Sequence, residues 1–209
     1  MQYSEKQVQI METAETLFAE KGFNGTSVRD IAEKAQVNLA MISYYFGSKD
    51  KLLEALFNYR GENIKLKFES MIKDKTLTSL EKMYKLIDHY IEKIMSQQSF
   101  SRIMVREQVM NHTGITAELI FQMKKTNQEL ISQLIHEGQK RGEFNKNIDI
   151  PLMMATLIGT SNIMVTTQHY YREINKLQSM PDEEFQKHVK KKLSQHLKKL
   201  FKAILTYEE

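Results

Sequence analysis

Cysteine is absent from the 209 residues, which excludes disulfides and thiolate metal sites. With only 2 prolines and 8 glycines, few positions force a break, and periodic stretches can continue as helices. No uninterrupted apolar run is long enough to cross a bilayer, so no membrane role is expected. The opening residues, MQYSEKQVQIMETAE, carry acids and no apolar signal core; export is not expected and a cytoplasmic location is. Catalytic signatures are missing as well. None of the 6 histidines stands three residues after a glutamate, which disfavours a di-iron helical bundle. There is no phosphate-cradling glycine loop and no nucleophile constellation. His169 with Glu173, and Glu184 with His188, are i, i+4 pairs able to clip a metal, but on helix surfaces such pairs are more often hydrogen bonds. No catalytic residue, metal site or cofactor is expected.

What remains is a chain with 41% hydrophobic residues, long enough to bury a core as one large or two small domains. Its periodicity is helical throughout, with no evident strand or internal repeat, so the expected class is all-α. A net charge of +4 points only weakly to nucleic acid. Residues 1–50 hold five basic and seven acidic side chains, a formal −2. Composition alone does not locate a DNA-binding function.

The stretch from Gly22 to Leu53 does. Upstream of it, Ser4 and Gln7 have the form of a capping box, and Ile10, Met11, Ala14, Leu17 and Phe18 recur at helical spacing. Gly22 stands where a left-handed residue would end that first helix. Thr26 or Ser27 starts a second, Ser27 with Asp30 fitting the capping-box spacing, and Val28, Ile31, Ala32 and Ala35 form its inner face. Gln36-Val37-Asn38 makes a turn, with Val37 buried and Asn38 capping a third helix from about Leu39 to Phe46. Ile42 and Phe46 face inward there. Gly47-Ser48 breaks it, and Ser48 can cap a long fourth helix beginning at Lys49. Two short helices joined by a tight turn offer one helix end to a groove of DNA.

Ala32-Glu33-Lys34-Ala35-Gln36-Val37 followed by Ile42-Ser43-Tyr44-Tyr45-Phe46-Gly47-Ser48-Lys49 resembles the N-terminal domain of the tetracycline-repressor (TetR/AcrR) family of bacterial regulators, over roughly residues 4 to 57. The resemblance implies an all-helical homodimer with a three-helix DNA-binding domain at 1–50. A helical regulatory and dimerisation domain at 51–209 is implied to hold a small-molecule inducer. Its function would be that of a ligand-responsive repressor on a palindromic double-stranded operator. Residue by residue, Arg29 and Asn38, Leu39, Ala40 and Met41 match positions that face base edges, while Tyr44, Tyr45 and Lys49 match phosphate-contacting positions; Thr26 and Ser27 open the second helix beside them. An arginine can bond guanine bidentately, whereas Leu, Ala and Met can only touch a thymine methyl. Against these roles stand a solvated charge for Arg29, burial for Leu39 and core packing for Tyr45. Leu39-Ala40-Met41 departs from the family's commoner polar residue and glycine, which shifts the expected specificity toward methyl contacts, Arg29 and DNA shape.

Beyond residue 50, the fourth helix is expected to run to about Met71 with Leu52, Leu53, Leu56, Phe57, Ile64 and Phe68 buried. A capping box at Thr78 and Glu81 opens the next, and shorter and longer helices follow over 100–110 and to about 141. An unusually apolar helix is expected from Leu152 to about Tyr171. A last helix after Pro181 has Phe185, Val189, Leu193, Leu197, Leu200 and Ile204 on one face. By resemblance, these final two helices form the homodimer. The lysines of Lys190-Lys191-Lys192 and Lys198-Lys199 interleave with the apolar stripe and read as a solvated face. Tyr84, Tyr90, Met104, Phe121, Met123, Asn127, Asn162 and Thr166 are pocket candidates by position. The 13 methionines suit an adaptable apolar cavity, though methionine at helical spacing is more often plain core. The rival to a regulator is a helical protein-interaction module whose reading head no longer binds DNA.

Overall fold

The computed structural model describes residues 3–110 and 113–207, apart from the side chains of 62–69. Among the described residues there is no strand. The helices are α1 Glu5–Lys21, α2 Val28–Lys34, α3 Leu39–Phe46, α4 Lys49–Lys73, α5 Ser79–Ser96, α6 Gln98–Met110, α7 Ile115–Lys140, α8 Ile150–Thr166, α9 Gln168–Ile174 and α10 Asp182–Thr206.

The chain forms two compact units. One comprises residues 1–66 and 99–125, the other 67–98 and 126–209. The division expected at residue 50 is therefore not where the packing divides the chain. In the first unit α1, α2 and α3 bury Ile10, Met11, Phe18, Ile31, Ile42 and Phe46 against Leu52, Leu53, Leu56 and Phe57 of α4. Phe100, Ile103 and Ile120, from α6 and the start of α7, complete that core, and the Phe57 and Phe100 rings meet edge-on at 5.0 Å. Glu15 is buried here too, its carboxylate 2.7 Å from Arg60 Nε. Burial raises its pKa although the Arg60 bond opposes the shift. Ile64 and Phe68 lie outside the described side chains.

In the second unit α5, α8 and α10 pack on one another, with Leu130, Ile131, Leu134 and Ile135 of α7 in the same core. Lys82 on α5 is 1% exposed, yet its ammonium donates to the Ile72 carbonyl at 2.6 Å and to Glu137 Oε1 at 3.2 Å. Removing one partner of such a pair would leave a charge buried and uncompensated.

Two expectations fail in this unit. The single helix foreseen from 152 to 171 is two, α8 and α9, bent by 75°. Thr166 and Thr167 turn their hydroxyls back to the carbonyls of Asn162 (2.8 Å) and Ile163 (2.6 Å), a bonding pattern that bends helices. On α10 the buried stripe continues from Leu197 to Phe201 and Leu205, while Leu200 and Ile204 are half-buried. Phe201 and Leu205 continue the i+4 row from Phe185, which turns by about 40° per step around a straight helix, and the buried side turns with it. No single helix among the described residues is long and apolar enough to cross a membrane.

Gly138 lies inside α7, where alanine normally adds about 1 kcal/mol of stability. Here a Cβ would collide with the Phe144 ring, including its inner carbon. Gly138→Ala should instead destabilise the protein by about 1–3 kcal/mol, as overpacking does. Urea unfolding reads the sign, and a stabilised variant would show that the ring moves aside at little cost.

Candidate nucleic-acid interface

The interface is built from short, heavily capped pieces. The N-terminus of α1 is closed by the reciprocal Ser4–Gln7 box, and its end by Gly22 at φ 80, whose N–H reaches the Phe18 carbonyl at 2.9 Å. Ser27, not Thr26, is the N-cap of α2. Its hydroxyl accepts from Asp30 N at 3.1 Å, and its own N–H donates to Asp30 Oδ2 at 2.9 Å. That backbone N–H, and the Ser27 hydroxyl donating to the same Oδ2 at 2.8 Å, hold the Asp30 carboxyl below the usual carboxylate range. The turn after α2 places Gln36 at φ 53, a left-handed position that glycine or asparagine commonly fills. Gln9 of α1 reaches across to the Ala35 carbonyl at 3.0 Å, tying the end of α2 to the first helix. Asn38 then caps α3, accepting from Ala40 N at 2.9 Å.

Held this way, α3 buries Ile42 and Phe46 and turns Leu39, Ala40, Ser43 and Tyr44 to solvent. Leu39 is on the surface, not in the core. Tyr44 is 83% exposed, and its ring lies 5.1 Å from that of Tyr45, which is half-buried against the head's core. Met41 is half-buried, and Asn38, Ser27 and Arg29 are exposed. Eight of the ten residues singled out from the sequence thus gather around α2 and α3 with surface to offer. Ser43 joins them; its i+4 spacing from Leu39 was the signal for it.

Thr26 and Lys49 are placed differently from expectation. Thr26 is 1% exposed and its hydroxyl donates to the Gly22 carbonyl at 2.9 Å, so its side chain has no surface to give. The Lys49 ammonium donates to the carbonyls of Phe23 (2.9 Å) and Thr26 (3.0 Å) and lies 4.3 Å from the centre of the Phe23 ring. Its nearest acceptors are inside the protein.

The pocket candidates are divided between the two units. Met104, Phe121 and Met123 belong to the first unit, and Tyr84, Tyr90, Asn127, Asn162 and Thr166 to the second. Phe121 is exposed, and the Thr166 hydroxyl is bonded back to its own helix. Tyr90 is half-buried, and burial pushes its phenol upward. A polar group overlooked in the sequence is Ser161 on α8, fully buried with no hydrogen-bond partner for its hydroxyl. An unpaired group of this kind costs about 1–3 kcal/mol unless something else satisfies it.

Residues 10–56 match the family described as "Bacterial regulatory proteins, tetR family", and residues 80–195 match "Tetracyclin repressor-like, C-terminal domain". The "Probable HTH-type transcriptional regulator YttP" of Bacillus subtilis is 32% identical over 136 residues, which is 65% of each chain. The "Fatty acid metabolism regulator protein" of the same organism is 25% identical over 78% of this chain and 82% of its own. In structure, the chain resembles FadR from Bacillus subtilis in complex with stearoyl-CoA. The TM-score is 0.66 at 24% identity, covering 91% of this chain and 96% of that one.

Because its pKa is lowered, Asp30 adds stability that is complete above the usual carboxylate range and fades as pH falls through the lowered value. Ser27→Ala removes the hydroxyl bond and leaves the backbone one. The Asp30 pKa, followed by NMR, should rise part of the way back. An unchanged value would mean that the Ser27 hydroxyl does not stabilise the Asp30 carboxylate.

Proposed function

Because the chain belongs to the TetR family of bacterial regulatory proteins, helix-turn-helix proteins that regulate transcription, we propose that it is a ligand-responsive repressor binding a palindromic operator as a homodimer. The observation that carries this reading is the solvent-facing surface of α3, presented by capped helices on a packed core. Arg29 is the candidate for bidentate bonding to a guanine, and Leu39 and Ala40 for contact with thymine methyls, with Met41 at their edge. Asn38, Ser43 and Ser27 offer short polar groups, and the hydroxyls of Tyr44 and Tyr45 are suited to phosphate oxygens. Such a repressor works in the cytoplasm, where the bacterial chromosome lies.

The homodimer is proposed through α8 and α10. In its support, α8 turns Leu152, Ala155, Gly159 and Ile163 to solvent at i+3 and i+4 spacing, a row whose small middle residues permit close helix crossing. The inducer is proposed to be apolar or amphipathic and to bind the second unit. Buried Met83 and Met153, with Met154 and Met164 packed beside them, line a core able to adapt to a ligand. The unpaired Ser161 hydroxyl would meet a polar group of it.

A genomic-fragment selection at two salt concentrations tests the DNA-binding reading. One palindromic sequence should be recovered, with half-site centres about 10 bp apart or a multiple of that. Recovery of nothing would favour the interaction module, to which the acidic count of residues 1–50 lends some support. Linkage tests the inducer, with stearoyl-CoA as the first probe. A ligand that weakens operator binding about 5–150-fold must itself bind the operator complex more weakly by the same factor. Equal probe affinity with and without operator would remove that compound as an inducer.

A further inference from the structure

The segment from Glu20 to Thr26 ends α1 and delivers Ser27 to the start of α2. The carbonyls that close α1 lie past its ladder, where side chains or water meet them, and the Phe23 carbonyl accepts from Thr26 N at 3.3 Å. Two cations from later helices supply further donors. Arg106 on α6 donates from Nη1 to the Glu20 carbonyl at 3.1 Å and from Nη2 to the Lys21 carbonyl at 3.3 Å. Lys49, at the first position of α4, takes the carbonyls of Phe23 and Thr26 and covers the Phe23 ring. The Gly22 carbonyl between them is taken by the Thr26 hydroxyl. Gly22 also makes room for the clamp, since a Cβ there would stand 3.1 Å from the Arg106 guanidinium carbon. Neither cation has a carboxylate partner among the described residues. Bonds from charged donors are roughly twice as strong as neutral ones, and a cation at the end of α1 also complements the helix dipole.

We propose that Lys49 and Arg106 are positioning residues for DNA reading, acting by clamping the carbonyls of residues 20–26 and so fixing the start of α2 at Ser27. The proposal rests on the DNA-binding reading above. It assigns Lys49 a role other than a phosphate contact, and it gives a part in operator recognition to Arg106, which lies far along the chain from the reading helices.

Salt dependence separates the two roles of Lys49. A side chain that neutralises a phosphate contributes about 0.9 to the slope of log affinity against log salt, whereas an internal clamp contributes nothing. The full-length protein and its Lys49→Met, Arg106→Met and Arg106→Lys variants are titrated with the selected operator and with random DNA across a salt series. Circular dichroism confirms that each is folded. Each Met variant should lose operator affinity by about tenfold, the scale of one charged hydrogen bond. The slope should stay at the wild-type value, and operator affinity should fall more than random-DNA affinity. Arg106→Lys, which can still hold one carbonyl, should recover part of the loss. If Lys49→Met does not fold, Lys49→Gln carries the same reading of the slope. A slope reduced by about one phosphate, with operator and random DNA weakened alike, would overturn the assignment for Lys49. Unchanged operator affinity in Arg106→Met would overturn it for Arg106. Failure of the wild-type protein to bind any fragment would instead remove the DNA-binding reading beneath both.

Discussion

Neither α2, with seven residues, nor α3, with eight, could persist alone in water. The first helical turn fixes several residues for a single hydrogen bond, and helices shorter than about 12–15 residues remain marginal. The reading head therefore exists only as far as something else holds it. Burial of Ile31, Ala32, Ile42 and Phe46 on α1 and α4 supplies most of that hold, and the caps at Ser27 and Asn38 satisfy helix ends that would otherwise compete for water. Because α6 and the start of α7 contribute Phe100, Ile103 and Ile120 to the same core, the head is completed by residues far along the chain. Its orientation and its stability are one property.

The second unit meets a different constraint. Its outer helix α8 is apolar on its inner and outer sides alike, so its burial within the chain leaves Leu152 and Ile163 in solvent. Polar anchoring comes in part from the start of α5 and the end of α7. There Lys82, Glu137, Arg141 and Glu143 form a linked set, with Arg141 Nη2 2.7 Å from Glu137 and the Ser79 N–H donating to Glu143 at 2.5 Å. These contacts join the start of α5 to the end of α7. The unpaired Ser161 hydroxyl lies on α8, away from any such network. Polar satisfaction is thus strong where the unit must be rigid and incomplete where a ligand is proposed.

Local chemistry was legible in the sequence, and long-range pairing was not. The limits of α3, the caps at Ser4, Ser27, Asn38 and Thr78, and the buried side of α1 all follow from residues within four positions of one another. Periodicity says that Phe100 or Ile120 is buried; it cannot say that the partner is the head rather than the neighbouring helix. That is why a boundary drawn at residue 50 leaves out the helices that complete the first unit's core. The same limit hid the Glu15–Arg60 and Lys82–Glu137 pairs, whose members stand 45 and 55 positions apart. The break before α9 was locally encoded in Thr166-Thr167, but a threonine pair permits a bend without requiring one. The bonds of Lys49 were hidden for a related reason: a cation at a helix N-terminus suggests an anion in front of it, and only the folded turn reveals the carbonyls of Phe23 and Thr26 behind it.

Charge counted along the chain misled in the same way. The formal −2 of residues 1–50 includes Glu15 and Glu12, which lie 2.7 and 3.7 Å from Arg60, a residue just beyond the count. Glu20 faces Lys34 at 3.5 Å, and Asp30 is engaged by Ser27. Much of the head's acidity is thus answered by cations and donors of the same unit. The reading helix itself, LAMISYYF, carries no charged side chain. A helix of this kind gains little from counterion release, the term that dominates binding to random DNA. On the proposed reading, discrimination then falls to Arg29, methyl contacts and groove shape. A regulator is judged against every competing site in a genome, so what matters is the ratio of specific to non-specific affinity. Low charge on α3 weakens both, but it weakens the non-specific part more, and the ratio rises.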